Sequence, residues 1–473
     1  MRIKVRSVDF YRLPMRTRFP FCYGIASMTE LPHLFVRAVV DIDGHESVGM
    51  SADGLPPKWF TKNPGTSFED DLPEMLQVIR HAADVAVDAV PSDSFFAWWR
   101  LLYDRQQRWA KEQSIPPLLS GFGVSLLERA ALDAFCRAIG RPLHRVLITD
   151  QLQLEPSKIR GQLSGIRPAD FLAGQPADEL IVRHTIGLAD PLTAAEIDPG
   201  DRVHDGLPHS LEDNIRQYGI THFKIKLSGS LDHDTDRLRQ LARIIRSQVG
   251  ARARFTLDGN ENFHRVEDFQ EHWNTYQADP VLRSFFSASL LFVEQPIHRD
   301  SALSQPLDLG SGWVAPPAMI IDESDADLSS FPTAVSCGYV GTSHKNCKGV
   351  IKGILNAADI FHCQQNQQTG VLSAEDLANV GPVALLQDLA VAACIGVDHI
   401  ERNGHHYFCG LSMMPQSEQE RALRNHPDLY EVAEAGFPTL KIRNGKIRLG
   451  SVNAAPFGVA ELPDVGLFEH WEI

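Results

Sequence analysis

The chain has 473 residues, 43% hydrophobic and 22% charged, enough for a large buried core and two domains. Its formal net charge of −15 argues against nucleic acid or an acidic membrane surface as the main partner. No apolar run is long enough to span a bilayer, and the start "MRIKVRSVDFYRLP" lacks the apolar core of a signal peptide. The seven cysteines are odd in number, scattered and without a Cys-x-x-Cys pair. That excludes a disulfide framework or a zinc site as a first reading and fits the reducing cytoplasm.

In chain order, "IKVRSVDFYRL" and "HLFVRAVVDIDG" alternate as antiparallel strands do. "SFEDDLPEMLQVIRHAADVAVDAV" then has helical spacing, with Ser67 and Asp70 placed to cap it. Residues 124–139 predict a second helix, which Gly140 ends. Residues 188–212 read as a long polar loop. From about residue 180, eight short apolar runs follow: "ELIVRHTIG", "THFKIKL", "ARFTLDG", "LLFVEQP", "AMIIDES", "CGYVGTSHK", "TGVLSAED" and "GVDHIER". Amphipathic stretches such as "DTDRLRQLARIIRSQV" and "ALLQDLAVAACIG" lie between them. Eight strand–helix units predict an α/β fold built on a (β/α)8-type barrel. The barrel is expected over residues 151–410. An α+β capping domain is expected over 1–150, with the tail 411–473 returning to it. In that tail "FPTLKIRNGKIRLGSV" reads as a hairpin around Asn444-Gly445.

Charged residues recur at the C-terminal ends of these strands: Lys224 and Lys226, Asp258, Glu294, Asp322-Glu323, Lys345 and Glu401. In a barrel those ends face the active site. Three acids converging from consecutive strands would repel one another unless a cation neutralised them, and an all-oxygen set favours magnesium. Lys224 and Lys226 are two residues apart and point the same way. Their mutual repulsion is expected to lower the pKa of the pair to about 7–8, where a lysine accepts a proton at neutral pH. His344, His405 and His406 read more simply as surface or core residues, and His362 as helix packing.

The ordered series "KIK", "LDGNE", "VEQP", "IDES" and a sixth-strand lysine resembles the enolase superfamily, in particular its muconate lactonizing enzyme-like and mandelate racemase-like proteins. "LLERAALDAFCRAIGRPLHRVL" and "FPTLKIRNGKIRLG" resemble that family's linking helix and closing segment. The resemblance implies one magnesium ion held by Asp258, Glu294 and Asp322, with Glu323 the alternative to Asp322. It implies Lys226 as general base, Lys224 as its partner and a substrate contact, and Glu401 as a second substrate contact. It implies Lys345 on the opposite face of the substrate. Lys345 lies 23 residues beyond Asp322, which suits one βα unit; Lys348 ranks second. The stretch between Asp258 and Glu294 carries an insertion near 276–289.

The expected activity is removal of the proton α to a substrate carboxylate, through an enediolate. Two facing lysines suit a racemase or epimerase, or a cycloisomerase. A dehydratase (lyase) acting on an acid sugar or hydroxy acid is the alternative, and a catalytically inactive ligand-binding homologue is the rival from another class. The partner is a small carboxylate, with neither nucleic acid nor membrane involved, and a homo-oligomer is expected. Loops at 16–28 and 49–60, rich in proline and aromatic residues, are expected to cover the barrel mouth.

Overall fold

The computed structural model describes residues 1–23, 26–310 and 312–473. Three antiparallel strands open the chain: β1 (Ile3–Tyr23), β2 (Ala26–Ile42) and β3 (His45–Gly54). Four helices follow: α1 (Pro57–Thr61), α2 (Phe68–Asp88), α3 (Phe95–Glu112) and α4 (Pro117–Ile139). Ser67 and Asp70 form a reciprocal capping box at the start of α2, and Gly140 ends α4 in the left-handed conformation at φ 63°. α4 is buried along most of its length because it is wedged between the cap sheet and the barrel. Its buried charges are all used: Glu128 accepts the Ile351 amide, Arg129 pairs with Asp53 at 2.7 Å, and Asp133 accepts the Met50 amide at 2.9 Å. Gly49 lets β3 lie against this helix, since a Cβ there would stand 2.1 Å from the Ala130 carbonyl.

All eight expected strands form: β4 (Glu179–Ile186), β5 (His222–Lys226), β6 (Arg254–Asp258), β7 (Leu290–Glu294), β8 (Met319–Ile321), β9 (Gly341–His344), β10 (Val371–Ala374) and β11 (His399–Arg402). They are parallel and in sequence order, and β11 pairs with β4 to close the barrel. The insertion between β6 and β7 is a second helix, Pro280–Ser289, capped by Asp279 and stacked on the helix before it.

The tail differs from the expected hairpin. Asn444 and Gly445 do form a tight turn, both at positive φ, with Arg443 and Lys446 exchanging backbone hydrogen bonds. The flanking segments then diverge. β13 (Pro438–Leu440) pairs with β12 (Tyr430–Val432), whereas β14 (Lys446–Arg448) adds antiparallel to β4. β15 (Glu469–His470) joins β1 of the cap sheet. The two expected mouth loops also take a different form. Residues 16–23 and 26–28 continue β1 and β2 as a long hairpin, and 49–60 is the end of β3 plus α1. Residues 24 and 25 of the first loop lie outside the described residues.

Candidate active site

The parallel register sets Lys226 beside Asp258, and Asp258 beside Glu294, across β5, β6 and β7. The backbone beyond these strand ends is strained. Asn260, Glu261 and Gln295 sit at φ 46°, 60° and 38°, where non-glycine residues are uncommon. Gly259 permits the close approach of the two strand ends, because a Cβ there would meet the Pro296 Cα at 2.4 Å. Gln295 turns the strain to use. Its side-chain oxygen accepts the Asp322 amide at 2.8 Å and the Ser324 amide at 3.2 Å, fixing the turn after β8.

A cleft of about 700 Å³, counted to its open mouth, lies between cap and barrel. Lys224, Lys226, Asp258, Asp322, Glu323, Lys345 and Glu401 all line it, so the sequence-predicted residues are brought together. Glu294 is fully buried beneath and does not line it. Lys348 also reaches Asp322, at 3.1 Å, but is bonded to Ser343 and lies off the cleft wall, which favours Lys345 as the sixth-strand lysine. The cap contributes an apolar wall: Phe21, Met28 and Leu31 from the hairpin, Pro56 and Trp59 around α1.

Lys224 is the hub. Its Nζ donates to Glu294 Oε1 and Glu375 Oε2 at 2.8 Å and to Glu401 Oε2 at 3.1 Å, and it stands 3.1 Å from Asp258 Oδ2. Lys226 Nζ donates to Asp258 Oδ2 at 3.0 Å and Asn260 Oδ1 at 3.3 Å. Lys345 Nζ donates to Asp322 Oδ2 at 2.6 Å and lies 4.7 Å from the Trp59 ring centre, a cation–π contact. Trp59 is held there by Arg299. That guanidinium grips Glu261 with two bonds, at 2.7 and 2.8 Å, and donates to the Trp59 and Phe60 carbonyls.

These contacts overturn the expected lowering of Lys224. Burial does push its pKa down, but the carboxylates of Asp258, Glu294, Glu375 and Glu401 outweigh burial and raise it well above the ordinary value. Lys345 is likewise raised: burial pushes it down, but Asp322 together with Glu294 and Glu401 prevails. Asp322 is correspondingly depressed: burial opposes this, but Lys345 and Lys348 prevail. Glu294 is raised by burial and by the neighbouring Glu375 charge. Glu323 is raised to about 7 by burial and by Asp322.

Glu375 was missed by sequence reasoning. It follows β10, accepts Lys224, and pairs with the buried Arg183 through its other oxygen. The signal was present, since "LSAED" ends the seventh strand in acids as the other strands end in charges. Trp59 lies in the 49–60 segment expected to cover the mouth and Asn260 in "LDGNE", but neither was given a role of its own. His344 is buried against Gly353, its ring 3.0 Å from Asn346 Oδ1, with its pKa lowered to about 4 by burial, and it does not line the cleft.

Asp258, Glu294, Asp322 and Glu323 fit a hard divalent cation in kind. They offer only oxygen, and the buried Glu323 Oε2 accepts no hydrogen bond. Glu294 Oε2 lies 2.8 Å from Lys224 Nζ but outside hydrogen-bonding geometry. As they stand they are not gathered. Among the described residues no three His, Cys, Asp or Glu side chains form a metal-holding group. The ammonium groups of Lys224, Lys345 and Lys348 hold Asp258, Glu294 and Asp322.

No family model and no curated protein matches the sequence. Solved structures do match. A mandelate racemase/muconate lactonizing protein from Herpetosiphon aurantiacus is 17% identical, with 95% of this chain and 97% of that one covered at a TM-score of 0.59. A dipeptide epimerase from Enterococcus faecalis is 14% identical, covering 96% and 99%, also at 0.59. The L-Ala-D/L-Glu epimerase of Bacillus subtilis is 15% identical, covering 94% and 98%, at 0.56.

Proposed function

We propose that this chain, which has the mandelate racemase/muconate lactonizing fold, is an enzyme that removes the proton α to a substrate carboxylate, as a racemase, epimerase or cycloisomerase. The observation that carries the reading is the placement of two lysines. Lys226 ends β5 and Lys345 follows β9, four strands apart in a ring of eight, and both line one cleft. A planar intermediate between them presents one face to each.

Lys226 Nζ takes the α-proton from one face, and the C–H electrons pass into the carboxylate to give an enediolate. Lys345, kept protonated by Asp322, supplies positive charge beside that anion and returns a proton to the opposite face. Lys224 and Glu401 flank the same space and orient the acid. Magnesium would be held by Asp258, Glu294 and Asp322, and would supply Lewis-acid stabilisation of charge on the carboxylate oxygens. The apolar cap wall excludes water from the reacting carbon. The solved relatives named as epimerases support this direction of reading.

One observation favours a second outcome. Lys345 is bound to Asp322 at 2.6 Å, more closely than Lys226 is to Asp258 at 3.0 Å, so it is the less well placed of the two to act as a base, and a lyase with Lys226 as its one base follows from that difference. Incubation with acid sugars, hydroxy acids, amino-acid derivatives and dipeptides in deuterated water with magnesium tests the main reading. Deuterium is expected at the α-carbon of at least one class. Binding of an acid without any exchange would contradict it and favour a ligand-binding homologue.

A further inference from the structure

Lys224 stands between the cleft and the deepest of the proposed metal ligands. Glu294 has no exposure and no part in the cleft wall, while Lys224, just above it, does line the wall. The same ammonium reaches Asp258 at 3.1 Å. It thus occupies two of the three carboxylates assigned to magnesium. A dipositive ion and a monopositive ammonium cannot share those oxygens at contact distance without strong repulsion.

Lys224 has a second seat. Glu375 Oε2 at 2.8 Å and Glu401 Oε2 at 3.1 Å lie on the far side of the same ammonium, just after β10 and on β11 rather than on β6 and β7. Neither acid belongs to the proposed metal set. Glu375 is anchored by Arg183 and Ser373 through Oε1, which leaves Oε2 for Lys224. Glu401 is anchored by the Thr185 hydroxyl at 2.6 Å through its own Oε1. Two fixed carboxylate oxygens therefore stand ready to keep Lys224 paired if it leaves the others.

We propose that Lys224 is a built-in counter-cation that competes with magnesium for Asp258 and Glu294, and that Glu375 and Glu401 form the seat to which it retreats when the metal binds. This rests on the magnesium reading above. It makes Lys224 and Glu375 determinants of metal affinity although neither is a metal ligand.

The test is calorimetric titration of magnesium chloride into the full chain without substrate, for the wild type, Lys224→Met and Glu375→Gln. Lys224→Met is expected to bind magnesium at least tenfold more tightly, because the competitor is gone. Glu375→Gln is expected to bind it several-fold more weakly, because the retreat seat has lost one of its two charges. If Lys224→Met does not fold, Glu375→Gln decides the matter, since glutamine retains hydrogen-bonding capacity toward Arg183 and Ser373. Wild-type binding with affinity unchanged in every folded variant overturns the competition and leaves the magnesium reading standing. No binding in the wild type but clear binding in Lys224→Met supports the competition. No binding in any folded variant overturns both.

Discussion

Two buried polar clusters lie at the same end of the barrel and behave in opposite ways. The first is the lysine–carboxylate set around Lys224. The second is His184 on β4 with His405 and His406 after β11. His184 Nδ1 lies 3.1 Å from His405 Nε2, and the His184 and His406 rings are 4.9 Å apart. Burial disfavours charge in both places. Around the histidines nothing reverses it. Asp190, the acid near them, is taken by the Tyr407 hydroxyl at 2.7 Å and the Gly187 amide at 2.6 Å. Burial lowers His184 to about 3 and carries His405 and His406 well down. Around Lys224 four carboxylates do reverse it. Only the charged cluster faces the cleft, and none of the three histidines lines it. Burial of a titratable group therefore does not mark a site here. Compensated charge facing a cavity does.

The comparison breaks most readily where a buried charge loses its partner. Arg183→Ala removes one of the two counter-charges of Glu375, leaving only Lys224, and is expected to destabilise the fold by about 3 kcal/mol. Urea unfolding reads this directly, and a loss under about 0.5 kcal/mol would mean the cluster is already solvated.

The histidines fail through pH instead. Their folded pKa lies below the unfolded value near 6.5. As pH falls below that value the unfolded chain binds protons the folded chain refuses, so stability is lost from about pH 6.5 down toward 3. His184 contributes a loss of roughly 2 kcal/mol between pH 7 and 5, and His405 and His406 act in the same direction. His184→Gln should lose about that much less than the wild type over this range. Equal slopes in the two proteins would mean that the cluster is open to water. The lysine set has the other sign. Lys224 is raised in the fold, so its contribution is complete below the unfolded lysine value near 10.4 and is lost only as pH rises through its folded one.

The smallest effect is expected at the edge of the charged cluster. Trp59→Leu removes the ring facing Lys345 and should cost about 1 kcal/mol. Its urea midpoint should fall slightly with the slope unchanged. A loss as large as that of Arg183→Ala would assign Trp59 to cap packing rather than to Lys345.

The barrel was legible because its eight strands are short apolar runs ending in charges, a pattern that survives without partners. The tail was not. Its turn residues, Asn444 and Gly445, are local and were read correctly, but β14 chooses β4 over β13 through tertiary pairing that no local signal encodes. Strand ends gave Lys226, Asp258, Asp322 and Lys345 as cleft residues. The charge state of Lys224 was not readable, because a two-residue spacing shows the like charge beside it and hides the four acids brought by other strands. Trp59 is held at the site by tertiary contacts such as that of Arg299, 240 residues away.

The central claim is that Lys226 and Lys345 serve opposite faces of one carbon. It is tested most directly by following α-deuterium incorporation into each stereoisomer of an exchanging acid, with wild type, Lys226→Ala, Lys345→Ala and the double variant. Lys226→Ala is expected to lose exchange from one isomer by roughly 10²–10⁴-fold and Lys345→Ala from the other, with net interconversion stopped by either. Exchange that persists at the wild-type rate in the double variant would contradict the account and require a base elsewhere in the cleft.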